Sequence, residues 1–197
     1  MEQAVFQRHQ DLSIFPPAKL AYIIYRRLRE QGLRRTSLWL KDKVMRRRLG
    51  VSPREISEVQ PGLFVGGQQR PHGLPLMREW GIGAVVNMRE EADDAAHGVA
   101  LEHYFWLPTT DDATPSFEDL ERAATFIAEQ RAAGRGVYIH CAAGVGRAPL
   151  MVAAYLITTG MTAAQAWATI REVRPFIRPT PPQIAFIDAF ARHWEQR

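Results

Sequence analysis

Cysteine is almost absent from this sequence, since Cys141 is the one cysteine among 197 residues. A single cysteine excludes an intrachain disulfide framework, and it excludes a zinc site built from several thiolates. A lone thiol that stays reduced is typical of an intracellular protein. Any cysteine-dependent chemistry of this chain must therefore rely on the single thiol of Cys141.

Long apolar runs are also missing. The most apolar stretch near the start, Ile14 to Tyr25, contains Lys19 and is about 12 residues long, whereas a spanning helix needs roughly 20. A secretory signal would place its charges before the apolar run, but here Arg26, Arg27 and Arg29 follow it. We therefore predict no transmembrane helix and no secretory signal. The expected location is cytoplasmic, with a peripheral position at the inner face of a membrane as the alternative.

Charge is distributed unevenly along the chain. The overall balance of 25 Lys/Arg against 21 Asp/Glu gives a net charge of +4. Residues 1–54 hold 13 Lys/Arg and 4 Asp/Glu, a net of +9, whereas residues 55–197 hold 12 and 17, a net of −5. This asymmetry predicts a basic N-terminal extension over residues 1–54 and a separate domain over residues 55–197, with an anionic partner for the extension.

The extension has the pattern of two short helices. Pro16 and Pro17 can open the first, Gly32 can end it, and the second covers Thr36 to Leu49. One interpretation is a helical cap that packs on the rest of the chain and exposes its basic face. The other is an interfacial anchor over residues 12–49, in which apolar side chains enter an anionic membrane surface beside arginines. Aromatic side chains suited to that boundary are Tyr22, Tyr25 and Trp39.

From Glu55 onward, short apolar runs alternate with amphipathic segments, which is typical of an α/β domain with helices covering a central sheet. Three helices have capping signals, at Ser116 with Asp119, at Thr162 with Gln165 and at Thr180 with Gln183. The predicted strands are Ile56–Val59, Leu63–Gly66, Ala84–Met88, Leu101–Leu107 and Val137–His140. The predicted helices are Leu74–Trp80, Ser116–Ala133, Ala148–Thr159, Thr162–Val173 and Thr180–Trp194.

One stretch of this domain carries the chemistry. An apolar strand from Val137 ends at Cys141, a loop of small residues follows, and Arg147 opens a helix. Such a loop can turn its backbone N–H groups inward and, with a helix N-terminus, bind a tetrahedral oxyanion. Arg147 can grip two phosphate oxygens, and the same positive field favours a thiolate poised for attack on phosphorus. The predicted phosphate-binding loop comprises His140, Ala142, Ala143, Gly144, Val145 and Gly146.

The alternative interpretation is a buried structural cysteine followed by an arginine that caps a helix. A cysteine alone would favour that interpretation, but a cysteine five residues before an arginine at a strand–loop–helix junction favours catalysis. His140 is expected to be a structural neighbour that hydrogen-bonds the loop backbone rather than a general base.

The series His140-Cys141-x-x-Gly144-x-x-Arg147 resembles the signature of the protein tyrosine phosphatase superfamily, in its compact dual-specificity branch. The resemblance covers roughly residues 55–195 and implies a central mixed sheet flanked by helices. It also implies a phosphocysteine intermediate on Cys141, phosphate binding by Arg147, an aspartic acid on another loop, and neither metal nor cofactor. The family usually places Ser or Thr after the arginine, where this sequence has Ala148, and that departure concerns the hydrolysis of the phosphoenzyme.

The resemblance also suggests where the acid lies. The family's acid stands four residues before a proline that precedes a helix, and Asp111 has that spacing to Pro115. Asp112 is the alternative. The acid would protonate the leaving oxygen and then act as a base toward water. Gln183 lies where related enzymes often place a glutamine near the active site, with a plain helix-capping role as the alternative.

Further segments, including Phe15 to Arg26, Leu63 to Gly67 and Gly83 to Glu91, resemble phosphatidylglycerophosphate phosphatases of the mitochondrial type. That resemblance implies a lipid phosphomonoester at a membrane, although residues 142–146 lack the basic side chains that those enzymes have there. The alternatives are a dual-specificity protein phosphatase and a catalytically weak phosphate-binding module. Nucleic acid is not expected as a partner, because no DNA-binding motif or aromatic-interleaved basic groove is present.

Overall fold

The computed structural model describes residues 17–197. Its strands are β1 (Glu58–Gln60), β2 (Leu63–Gly67), β3 (Ile82–Arg89), β4 (His103–Thr109) and β5 (Gly136–Cys141). Its helices are α1 (Pro17–Leu49), α2 (Leu74–Glu79), α3 (Phe117–Ala132), α4 (Arg147–Thr158), α5 (Ala163–Val173) and α6 (Pro181–Glu195), with short 3-10 turns at Arg54–Ile56 and Pro71–Gly73.

The strands form one mixed sheet in the order β1-β2-β5-β3-β4. β1 and β2 are antiparallel and are joined through Pro61-Gly62, where Gly62 takes φ +76°. β2, β5, β3 and β4 run parallel. Parallel neighbours require crossover connections, which the helices between them supply. The predicted α/β fold with a central mixed sheet flanked by helices is confirmed.

The strand that precedes the predicted phosphate loop, β5, is buried on both faces of the sheet. Because side chains alternate along a strand, Val137, Ile139 and Cys141 belong to the large core beneath α3 to α6, whereas Tyr138 belongs to the smaller core beneath α2. The central helix α4 is buried over almost its whole length. The backbone that leads to Cys141 is thus packed against core residues on both faces of the sheet.

Helix ends agree with the capping signals of the sequence. Ser116 accepts a hydrogen bond from Asp119 N, and complete capping boxes join Thr162 with Gln165 and Thr180 with Gln183. Most predicted element ends differ from the observed ones by one or two residues, which is the usual scatter where terminal turns fray.

Helix α1 is interrupted at Gly32, whose φ of 77° and ψ of 174° are not helical, so the predicted break is confirmed. Both segments pack on the rest of the chain, and Trp39 joins Ile56 and Phe176 in a third core cluster. The expectation that Trp39 suits a membrane boundary is therefore wrong, because its ring is only 4% exposed. Tyr22 and Tyr25 are each 60% exposed. Residues 12–16 of the proposed anchor lie outside the described residues.

Over residues 17–197, no helix combines the length and the apolar character that crossing a bilayer requires. The extension of predicted net charge +9 is therefore not a spanning segment within the described range. Its arginines divide into two sets. Some are exposed on the surface of α1, while Arg27 and Arg46 are buried against the sheet domain.

Candidate active site

The candidate site lies at one edge of the sheet, where the carboxyl ends of the parallel strands meet. Ligands of open α/β sheets bind beyond these strand ends. Here β5 ends at Cys141, β3 at Arg89 and β4 at Thr109. The loops that follow contain the phosphate loop, an acidic loop over residues 90–98 and the predicted acid loop over residues 110–116. Residues far apart in sequence are thereby brought to one place.

The phosphate loop curls around the sulfur of Cys141. Gly144 N donates a hydrogen bond to Cys141 Sγ at 3.3 Å, and the thiol side chain is buried. Gly144 takes φ +65°, and a Cβ there would lie 2.3 Å from the carbonyl carbon of Gly66. Only glycine fits both requirements. The loop ends at Gly146, which precedes the first turn of α4, so the N-terminus of a helix follows the loop directly.

Two buried arginines hold the outer side of this loop. Arg46 NH1 donates to the carbonyl oxygen of Ala142 at 3.0 Å. Arg174 Nε donates to Gly144 O at 2.8 Å, and Arg174 NH2 donates to Ala143 O at 3.2 Å. Because these carbonyls are fixed outward, the N–H groups of the same peptides are directed inward. The arginines therefore orient the anion-binding side of the loop without touching its contents.

Asp42 is the counterion of both arginines. Its carboxylate lies 3.2 Å from Arg174 NH2 and 3.9 Å from Arg46 Nε, and all three side chains are nearly inaccessible. Burial alone would raise the pKa of Asp42, but Arg174 and Arg46 lower it below its ordinary value. Asp42 and Arg46 belong to α1 and Arg174 follows α5, so the basic extension is part of the scaffold of the site.

We expect Asp42→Ala to destabilise the protein by about 3–5 kcal/mol, because it leaves two buried guanidinium groups without their carboxylate. The melting temperature would fall by roughly 10 °C. The matched control is Glu55→Ala, which removes a carboxylate from the exposed Lys41–Glu55 pair and is expected to cost less than about 1 kcal/mol. Thermal denaturation followed by circular dichroism measures both variants. Equal shifts in the two would show that Asp42 has no special role.

Arg147 lies at the floor of the site, with its side chain only 1% exposed. Its NH1 and NH2 atoms donate to the two carboxylate oxygens of Glu91 at 2.9 and 3.0 Å, a bidentate pair. NH1 also donates to Thr109 O at 2.7 Å. The opposite edge of the guanidinium differs, because Nε has no hydrogen-bond partner among the described residues. Glu91 therefore fixes the plane of the guanidinium and leaves one edge directed to the site.

Arg147 and Glu91 each stabilise the charged form of the other. Burial alone would lower the pKa of Arg147, but the hydrogen bonds that it donates to Glu91 and the negative charges of Cys141, Glu91 and Asp111 raise it. Burial alone would raise the pKa of Glu91, but the hydrogen bond and charge of Arg147 lower it to about 2. Glu91 is therefore ionised at neutral pH, and the site has a permanent, oriented cation.

Of the two candidate acids, the structure brings Asp111 to the site. Asp111 Oδ1 lies 3.0 Å from Arg147 NH2, while its side chain is 79% exposed. Asp112 takes the left-handed conformation with φ +61°, and its carbonyl oxygen accepts a weak hydrogen bond of 3.5 Å from Thr180 Oγ1. In this position Asp112 shapes the turn of the acid loop, and no contact of its carboxylate with the phosphate loop is observed.

His140 lies beside Cys141 in sequence but on the opposite face of the sheet. Its Nε2 atom lies 2.8 Å from Asp94 Oδ2, and neither side chain is exposed. The expected hydrogen bond from His140 to the loop backbone is therefore wrong, because the alternation of β5 points the imidazole away from the loop. Asp94 also accepts hydrogen bonds from Gln68 and Gln69, so His140 is part of a polar network behind the sheet edge.

Gln183 has both of the properties weighed from the sequence. Its Oε1 accepts from Thr180 N at 3.0 Å in the capping box, and its Nε2 donates to Ala113 O at 3.0 Å in the acid loop. It is fully buried and faces Gly146, where a Cβ would lie 3.3 Å from Gln183 Oε1. Gln183 thus connects the acid loop with the phosphate loop. Ala148 is fully buried in the first turn of α4.

Sequence reasoning missed the residues that support the site, namely Asp42, Arg46, Glu91, Asp94 and Arg174. Glu91 had one usable signal, because acidic residues that directly follow an apolar strand lie at the same sheet edge as the end of a parallel neighbour. No local pattern marks the other four. Their roles depend on contacts between segments separated by up to 132 residues, as for Arg174 with Asp42.

Comparison with known proteins finds a matching family model and several similar proteins. The family model for the dual specificity phosphatase catalytic domain matches residues 63–193. The chain is 34% identical over 121 residues to dual specificity protein phosphatase 12 of Rattus norvegicus, covering 60% of this chain and 36% of that protein. It is 29% identical over 142 residues to phosphatidylglycerophosphate phosphatase PTPMT2 of Arabidopsis thaliana, covering 68% and 62%. The chain thus spans only part of the length of these curated relatives.

Among solved structures, PTPMT1 in complex with PI(5)P has a TM-score of 0.63 at 23% identity, covering 71% of this chain and 96% of that one. Human DUSP28 has a TM-score of 0.64 at 18% identity, covering 71% and 98%. At these identities the likeness concerns the fold. The fold over the covered part of the chain is therefore similar to that of both proteins.

Proposed function

The chain belongs to the dual specificity phosphatase family, and from this membership we propose that it hydrolyses phosphomonoesters through a phosphocysteine intermediate on Cys141. The observation that carries the proposal is the convergence of Cys141, Arg147 and Asp111 at one sheet edge. Gly144 N lies 3.3 Å from the sulfur, and Asp111 lies 3.0 Å from Arg147. A candidate nucleophile, an anion-binding loop and a carboxyl group thus lie together at this sheet edge.

The proposed reaction has two steps. The thiolate of Cys141 attacks phosphorus, the phosphorus–oxygen ester bond breaks, and Asp111 gives its proton to the leaving oxygen. The loop N–H groups and Arg147 stabilise the equatorial oxygens of the transferred phosphoryl group. Asp111 then accepts a proton from a water molecule that attacks phosphorus, the sulfur–phosphorus bond breaks, and the thiolate returns.

The geometry of Arg147 supports this sequence of events. Glu91 occupies the NH1/NH2 edge, so the Nε/NH2 edge is the one available to two phosphate oxygens. Asp111 now contacts NH2 on that edge. A phosphoryl group bound there would displace Asp111 from the guanidinium toward the leaving oxygen. Binding of the phosphoryl group would thus also position Asp111 for proton transfer to the leaving oxygen.

We propose a lipid phosphate such as phosphatidylglycerophosphate as the substrate class. The support is the similarity to PTPMT2 over 142 residues together with the basic, tyrosine-bearing surface of α1. A peripheral position on an anionic membrane would place Tyr22 and Tyr25 at the interface, and both are exposed. A protein phosphatase is the second candidate, and it is favoured by the 34% identity to dual specificity protein phosphatase 12.

The deciding experiment compares two substrates on the purified full chain. If the lipid proposal is correct, kcat/KM for phosphatidylglycerophosphate in mixed micelles exceeds that for a phosphotyrosine or phosphothreonine peptide by at least about tenfold, a difference of 1.4 kcal/mol. Phosphate release is measured with a colorimetric assay. A preference for the peptides would favour the protein phosphatase. Glu91→Gln serves as a chemical control, since loss of the carboxylate that orients Arg147 should slow both substrates equally.

A further inference from the structure

A cavity of about 210 Å³ lies between part of α1 and Ala143 of the phosphate loop. One wall is Ala143, which lies two residues after Cys141, so their Cα atoms are at most about 7 Å apart. The opposite wall belongs to the basic extension. The polar and aromatic residues that matter to its chemistry are Arg26, Arg27, Trp39, Lys43 and Arg178.

The cations around this cavity outnumber the carboxylates. Glu30 pairs with Arg26 at 3.3 Å and with Arg178 at 2.6 Å. Arg27 is 6% exposed, and its guanidinium lies 4.4 Å above the Trp39 ring and donates to the amide oxygen of Gln31. Asp42, the carboxylate next to Lys43 in the sequence, is paired with Arg174 and Arg46.

Lys43 is the cation without a partner. Over residues 17–197 its Nζ atom has no hydrogen-bond acceptor and no carboxylate within ion-pair distance. It lies 5.8 Å from the centre of the Trp39 ring. Desolvation, and then the charge of Arg46, lower the pKa of Lys43 to about 7. Desolvation and the charge of Arg178 lower the pKa of Arg27 to about 10. An anion in the cavity would relieve this repulsion.

We infer that the cavity is a second anion subsite, which binds another anionic group of a phosphomonoester whose scissile phosphate lies in the loop at Cys141. The inference rests on the proposed function and specifies its substrate class, since the second group must lie within a few bonds of the first. A phosphodiester next to a terminal phosphate fits this description. The basic side chains that the neutral loop residues 142–146 lack would thus be supplied by α1 and by Arg178.

The test uses two soluble phosphomonoesters, glycerophosphoglycerophosphate, which also carries a phosphodiester, and glycerol 3-phosphate, which does not. We expect Lys43→Met to reduce the ratio of kcat/KM for the first to that for the second about tenfold. The control is Arg48→Met, which removes one charge from the same helix at an exposed position outside the cavity. It is expected to keep this ratio within about twofold of the wild type, whereas equal ratios in both variants would overturn the subsite.

Failure of the proposed function would look different. If the wild type hydrolyses neither compound, the function fails, and calorimetry of the binding of both compounds then decides about the subsite. Weaker binding of glycerophosphoglycerophosphate alone by Lys43→Met would support it. An equal effect on both compounds, or none, would overturn it.

Removal of the Lys43 charge should also change how the stability of the protein depends on pH. The charged groups that act on Lys43 are Arg46, Asp42, Arg27 and Arg174. Because the folded pKa is about 7 and the ordinary value is 10.5, the desolvated charge costs stability at and below pH 7, and this cost disappears as the pH approaches 10.5. Lys43→Met should therefore raise the melting temperature at pH 6–7 by a few degrees, with a smaller gain near pH 10.

Discussion

Cys141→Ser is expected to lower kcat/KM for an aryl phosphate by at least about 10³-fold. The serine hydroxyl would occupy the same buried place but would need a base to remove its proton. His140 cannot serve, because its imidazole lies on the other face of the sheet and contacts Asp94 at 2.8 Å. A thiol depends far less on such a base, because thiols are intrinsically much more acidic and more nucleophilic than serine hydroxyls. The measurement is steady-state hydrolysis of p-nitrophenyl phosphate.

The variant should still bind phosphate, because the loop and Arg147 are unchanged. We expect inorganic phosphate to raise the melting temperature of Cys141→Ser about as much as that of the wild type. In the wild type, acid quenching during turnover of a labelled substrate should trap label on the protein, and Cys141→Ser should trap none. Equally slow hydrolysis by both proteins would instead identify a phosphate-binding module without catalytic activity.

The phosphate loop could be predicted from sequence because its determinants are local. A strand, a loop of small residues and an arginine at a helix start form one continuous segment, and the left-handed φ of Gly144 follows from residue type. The acid loop was predicted through the family resemblance, in which the acid stands four residues before a proline, and the structure places Asp111 beside Arg147. Both loops are short enough for local rules to determine their shape.

The residues that support the site could not be predicted from local sequence patterns. Glu91 reaches Arg147 only because β3 and β5 are neighbours in the sheet, and no local pattern specifies that order. Arg174 and Asp42 meet across 132 residues of sequence. The net charge of the extension, correctly counted, did not reveal that Arg46 binds the outer side of the loop while other arginines of α1 are exposed.

Because α1 carries both exposed arginines and residues that support the site, removal of the extension would have more than one effect. Removal of residues 1–50 would delete Asp42, Arg46 and Trp39, and it would expose Arg174 together with the cluster around Ile56 and Phe176. Loss of activity or solubility in such a truncation would therefore not demonstrate membrane binding. Substitution of the exposed Tyr22 and Tyr25 in the full chain is the cleaner way to examine the anchor.

Asp111→Asn is expected to lower kcat/KM for an alkyl phosphate by about 10²-fold, because an alkoxide leaving group depends strongly on protonation. The decrease for p-nitrophenyl phosphate should be smaller, since its leaving group departs without a proton. The asparagine can still accept from Arg147 NH2, so the loop should remain in place. The measurement is steady-state hydrolysis of both substrates by the wild type and by Asp111→Asn, and equal decreases for the two substrates would contradict a role of Asp111 in protonating the leaving group.

Asp112→Asn is the matched control, because asparagine tolerates the left-handed conformation that Asp112 adopts at φ +61°. It changes the same chemical group one residue away and is expected to lower kcat/KM less than about threefold. If instead Asp112→Asn causes the larger loss, the acid is Asp112, and the contact between Asp111 and Arg147 only closes the loop. Since the two variants differ only in which carboxylate is neutralised, their comparison assigns the proton to one residue.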